Sequence, residues 1–73
     1  MNDVVEILYC NWRGETATRR IRPRAAWFGS TRWHPEPQWF IYAVDLDRSG
    51  DDEEITRDFA VCDIRTWTPL IGF

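Results

Sequence analysis

The sequence predicts an all-β chain, folded as a small SH3-like or Sm-like antiparallel β-barrel of five or six strands. Three observations predict it. Apolar and polar residues alternate with a period of two, the apolar runs are rich in β-branched and aromatic residues, and turn-forming residues recur at short intervals. No stretch carries a helical period. The 73 residues allow a single domain spanning 1–73. A chain this short buries only about 60% of its unfolded surface. Its 15% aromatic content, with five Trp, therefore supplies much of the core volume.

Each element follows from local chemistry. Val4 to Cys10 (VVEILYC) is a largely buried first strand. Asn11-Trp12-Arg13-Gly14 supplies the Asn and Gly of a turn. Glu15 to Arg22 is a second strand, with Ala17, Arg19 and Ile21 on one face, and Pro23 is expected to end its ladder because it has no N–H. Residues 25–29 (AAWFG) form a short apolar strand or turn. Ser30 to Gln38 is a loop, because two prolines in three residues force extended backbone. Trp39 to Asp47 (WFIYAVDLD) is the clearest strand. Arg48 to Glu54 is an acidic hairpin tip, expected to be solvated and mobile unless arginines of the basic half reach it, and Ile55 to Ile64 returns from it. Thr66 to Phe73 supplies a last strand and an apolar tail over the open end. Phe40, Tyr42, Val44, Phe59 and Val61 are the expected buried residues, and Trp12, Trp33 and Trp39 the expected exposed rings.

Composition narrows the function. With 44% hydrophobic and 29% charged residues, the chain is of the folded globular kind. No apolar run approaches the roughly 20 residues of a membrane span. The start, Met1-Asn2-Asp3, has an acid where a secretory signal needs positive charge, so a cytoplasmic protein is expected. Cys10 and Cys62 sit in apolar stretches and read as two buried, reduced thiols.

The net charge of −3 hides a division. Between Trp12 and His34 six Arg face one acid, Glu15. Between Asp45 and Asp63 eight acids face only Arg48 and Arg57. All nine basic residues are Arg, whose flat fork binds phosphate or carboxylate bidentately and stacks on rings. Two readings stay open: basic strands pairing with acidic ones, or a basic surface that takes a ligand.

The chemistry of enzymes is missing. His34 is a lone loop histidine, expected to be capped or exposed, and offers no metal site. Ser30 and Ser49 belong to no nucleophile elbow, and no phosphate-binding glycine loop occurs. Asp45-Leu46-Asp47-Arg48-Ser49-Gly50 fills the first half of a calcium loop, but Thr56 stands where the bidentate Glu is required, so a hairpin turn is expected. The chain reads as a non-enzyme without a cofactor. Its arginines beside rings are the general recipe for holding a nucleotide or a single strand, with phosphate paired and base stacked.

The spacing of motifs carries a resemblance. Ile7-x-Tyr9-x-Asn11-x-x-Gly14, then Arg19-x-Ile21-x-Pro23, then Trp39-Phe40-Ile41, then Arg57-x-Phe59 resembles the WYL-domain family in order and composition over about residues 4 to 65. The resemblance implies an Sm/SH3-like barrel acting as a ligand sensor, with a basic pocket for a nucleotide or single-stranded nucleic acid. Arg19 and Arg57 would be its basic positions and Trp39 the ring of its signature. Arg22 and Arg24 would enlarge the positive field, and Trp33 or Trp39 would offer a stacking face. Phe40 stands in place of the signature Tyr, and the bridge from Trp27 to Pro37 is longer than usual. With no helix-turn-helix in the chain, a signal would pass through a protein partner, a homo-oligomer or sequestration. The rival readings are a small acidic interaction module, of phage or mobile-element type, docking through its Asp/Glu-rich hairpin, and an oligomeric structural barrel without a ligand.

Overall fold

A computed structural model places residues 3–50 and 52–70. They form one five-stranded antiparallel sheet: β1 (Val5–Cys10), β2 (Thr16–Gly29), β3 (Gln38–Asp45), β4 (Thr56–Ala60) and β5 (Ile64–Pro69). A 3-10 turn, Val61–Asp63, joins the last two, and the spatial order is β4-β3-β2-β1-β5. No helix among the described residues is long and apolar enough to cross a membrane.

Alternation in β1 buries Val5, Ile7 and Tyr9 and leaves Glu6, Leu8 and Cys10 half-covered. The turn into β2 is built by Asn11, whose Oδ1 accepts from the backbone N–H of Arg13 and of Glu15, both at 2.9 Å. Gly14 closes it at φ +79°, where a side chain is unfavourable. Ile7 then faces Arg19, and Val5 faces Ile21.

Connection length dictates the shape of the sheet. The outer strands β4 and β5 are separated by four strand spacings, about 19 Å if the sheet were flat. The four chain steps from Ala60 to Ile64 reach at most about 14 Å. A flat sheet is therefore excluded, and this one curls until strands far apart in order meet across its concave face. The Tyr9 ring on β1 lies edge-on to Phe59 on β4, with centroids 5.0 Å apart. The Tyr9 hydroxyl accepts from the Ala60 N–H at 3.3 Å. Val5, Ile7, Tyr9, Ile21, Ala43 and Phe59 form the core, with Ile41 and Ile64 packed against it. Each large member contributes about 1.5–3 kcal/mol by leaving water. The two edges do not pair, so the sheet is an arch open along one seam and not a closed barrel.

On the opposite pleat Phe40 is buried by the loop after β2. Trp27 stacks on it at 4.8 Å, and His34 meets it edge-on at 5.6 Å. His34 Nε2 lies 3.0 Å from Asp63 Oδ2, tying the loop to the 3-10 turn.

Several expectations are corrected here. Pro23 does not end the second strand: β2 runs on to Gly29, with the register shifting between Pro23 and Ala25, the kind of irregularity that accommodates a missing N–H. The return strand stops at Ala60, and Val61, in the 3-10 turn, is 43% exposed. Tyr42 is 37% exposed, because its cross-strand neighbours Ala25 and Asp58 are too small or polar to cover it. Cys10 is half-buried and Cys62 exposed, both free thiols. The Cys62 thiol donates to Gln38 Oε1 at 3.2 Å, and partial burial beside Asp63 pushes its pKa up. Phe40, Val44 and Phe59 are buried as expected. The tail Ile71 to Phe73 and Asp51 of the acidic tip lie outside the described residues.

The acidic tip is fastened to β2. Arg24 pairs with Glu54 at 2.9 Å, and Arg20 pairs with Asp47 at 3.5 Å. The Arg20 backbone N–H also donates to Asp47 Oδ2 at 2.9 Å. Basic and acidic halves thus neutralise each other along the outer surface, through exposed pairs worth about 0–1 kcal/mol each.

Candidate anion-binding cleft

The mouth of the arch, between the β1–β2 turn and β4, is a cleft of about 590 Å³. Four guanidinium groups line it, from four separate segments: Arg13 in the turn, Arg19 on β2, Arg48 in the acidic tip and Arg57 on β4. Tyr9, Trp12 and Asn11 also line it, and Glu15 is the acid among the lining residues.

Register explains the convergence. Arg19 pairs with Ile7, and Arg57 with Ala43, so both side chains project from the core face of the sheet, where the apolar interior gives way to solvent. Arg57 lies over the Phe59 ring at 5.0 Å and donates to Asp45 Oδ2 at 3.3 Å. The same oxygen is 3.8 Å from Arg48 Nε. Asp45 is completely buried, and its Oδ1 has no hydrogen-bond partner among the described residues. A buried carboxylate persists when cations pair with it, and here it also fixes where those cations sit. Asp45 therefore orients Arg57 and Arg48 from behind the cleft wall.

The other two arginines have no such counterion. Among the described residues Arg19 makes no ion pair, and Arg13 makes none beyond lying over the Trp12 ring at 5.0 Å. Four guanidinium groups against Glu15 and a shared Asp45 leave the cleft positive, the field an anion follows. Tyr9 remains a neutral hydroxyl: burial pushes its pKa up, Asp63 adds to the rise, and the Ala60 hydrogen bond and Arg57 oppose it.

A second cleft, of about 350 Å³, adjoins the first and shares Tyr9, Asn11, Trp12 and Arg57 with it. Its remaining wall is Thr31, Trp33, His34 and Asp58. Trp12 and Trp33 stack at 5.4 Å with a 15° interplanar angle, although they are 62% and 59% exposed. Arg32 lies over Trp33 at 5.4 Å.

Arg19 and Arg57, anticipated from the sequence, are thus brought together, and Trp33 borders the adjoining cleft. Arg22, Arg24 and Trp39 are not. Arg22 pairs with Asp3 at 2.9 Å and Arg24 with Glu54, both engaged on the outer surface. Trp39 sits six residues along β3 from Asp45, about 20 Å away by strand rise. There it packs edge-on against Phe28 at 5.5 Å. Sequence reasoning left Arg13, Arg48 and Asp45 out of the site. Arg48 was hidden by its acidic surroundings, while Arg13 carried a usable signal in the Asn11–Gly14 turn that projects it. The calcium-loop segment is a turn in which the Ser49 hydroxyl donates to the Asp45 carbonyl at 2.8 Å and accepts from Ile55 N–H at 2.9 Å.

No protein-family model, curated protein or solved structure matches this chain.

Proposed function

We propose that this chain is a non-enzymatic ligand-binding module of WYL-like type. In this reading its arched sheet is the counterpart of the family's barrel. The ligand is a nucleotide or a short single-stranded nucleic acid. The observation that carries the reading is the meeting of Arg19 and Arg57 with Arg13 and Arg48 on one cleft, with Arg19 free of any ion pair among the described residues. A phosphate entering there gains charge-assisted, bidentate hydrogen bonds from Arg19. Arg57, already oriented by Asp45, gives a second contact at little further ordering cost. Trp12, stacked on Trp33 and lying under Arg13 at the border, offers a base its exposed ring edge, and its face once Arg13 turns to the phosphate.

Arg19→Ala is the informative variant, since no folded-state ion pair is lost with it. Its affinity for a mononucleotide, read by quenching of tryptophan fluorescence, is expected to fall roughly 10- to 150-fold, the effect of removing one charged hydrogen bond. Arg19→Lys restores only part, because a point charge cannot reproduce the fork. Raising the salt concentration weakens an oligonucleotide more steeply than a mononucleotide. A folded Arg19→Ala protein that binds like the wild type overturns the reading. Loss of function on charge reversal at Asp51 to Glu54, with Arg19→Ala intact, would favour docking through the acidic hairpin.

A further inference from the structure

Building on the reading of the arginine cleft as a phosphate site, we infer that the adjoining cleft is a nucleobase subsite that selects guanine. The two clefts share Tyr9, Trp12 and Arg57, so a ligand whose phosphate sits among the arginines continues directly into the second. A volume of about 350 Å³ falls in the range of small-molecule sites. Its wall includes the stacked Trp12–Trp33 pair, whose exposed edges give a flat aromatic ligand apolar contact without regard to which base it is.

Selection comes from the polar atoms left over. Asn11 is consumed by its turn, with Oδ1 accepting two backbone N–H groups and Nδ2 directed at Glu15. His34 Nε2 is held by Asp63, while Thr31 Oγ1, accepting from the His34 N–H at 3.1 Å, and the Tyr9 hydroxyl, accepting from Ala60 N–H, each keep their own hydrogen to donate, as to a guanine O6. Asp58 is different. Its Oδ1 accepts from Trp27 Nε1 at 2.9 Å, which fixes the carboxylate, and among the described residues no cation pairs with it. Oδ2 is left with spare accepting capacity, and a carboxylate only accepts. Guanine is the base whose pairing edge carries two adjacent donors, N1–H and the 2-amino group. Adenine and cytosine set an acceptor nitrogen beside their amino group, and uracil places its single N–H between two carbonyls. Each of these puts a lone pair against the Asp58 oxygens.

The test is a binding series on the whole chain with GMP, IMP, AMP, CMP and UMP, with inorganic pyrophosphate as the base-free probe. Wild type is expected to bind GMP at least 10-fold more tightly than AMP, with IMP between them because it lacks the 2-amino group. Asp58→Asn keeps an oxygen for Trp27 and turns the open atom into a donor. It is expected to erase the GMP advantage and leave pyrophosphate affinity unchanged. A guanine-bearing trinucleotide run beside GMP tells whether the base arrives as a mononucleotide or in a strand. Equal affinity of the wild type for all five nucleotides overturns base selection and leaves the arginine cleft standing. A GMP preference that survives Asp58→Asn overturns the role of Asp58. Failure of every nucleotide and of pyrophosphate to bind overturns the phosphate site itself.

Discussion

Replacing Tyr9 by phenylalanine removes one oxygen atom from the interior and leaves the ring, with its edge-on contact to Phe59, in place. The lost atom is the acceptor for the Ala60 N–H, on a residue with no solvent exposure. A buried donor stripped of its partner costs about 1–3 kcal/mol. The lower half of that range applies here, because Tyr9 borders both clefts and water can approach. For a domain of this size each kcal/mol moves the melting temperature by about 4–8 °C, so Tm should fall by about 4–16 °C, measured by calorimetry or near-ultraviolet dichroism. Alkaline pH adds a second readout. Burial raises the Tyr9 pKa above 10.0 in the folded state. Above that pH the unfolded chain releases a proton that the folded chain retains, so the hydroxyl's contribution is complete below pH 10 and declines as pH rises toward the folded value. The stability gap between wild type and Tyr9→Phe should therefore be constant below pH 10 and narrow above it. A variant within about 0.5 kcal/mol of wild type, or a gap that does not change across that window, would refute this account of how β1 is tied to β4.

Gly14→Ala should lower stability by about 1–2 kcal/mol in urea denaturation, since φ is +79° and no atom lies within 4 Å of the added methyl, leaving backbone strain as the cost. Arg24→Ala should change stability by less than about 1 kcal/mol, because its pair with Glu54 is exposed on both sides. Added calcium should leave Tm unmoved: the Asp45 carboxylate is already committed to Arg57 and Arg48, and a rise in Tm would show that the acidic segment opens to bind a metal ion.

Strand identity was legible where one face is buried throughout, as in β1, or where a β-branched and aromatic run is long, as in β3. Boundaries governed by distant partners were not. Pro23 reads locally as a stop, and only the neighbouring β3, which tolerates a register shift there, carries β2 past it. Val61 continues the alternation of β4, yet the chain must turn at that point to reach the far edge of the sheet. At the arginine cleft, Arg19 and Arg57 followed from the family-like spacing, while Trp39 lies elsewhere, against Phe28, because a signature position says nothing about which end of the arch a ring occupies. Asp45 was visible only as one acid among eight, since its burial rests on distant partners, Ile21 beside it on β2 and Arg57 reaching it from β4.

The three-residue strap from Ala60 to Ile64 holds the arch to its curvature and so sets the span between the β1–β2 turn and β4, which border both clefts. Cleft width is thereby separated from cleft chemistry. An insertion or deletion in the exposed Val61–Cys62 segment would widen or narrow the opening while leaving every lining side chain unchanged. Such a chain can be retuned for larger or smaller ligands, by length polymorphism at one surface turn, without first giving up the arginines that attract them.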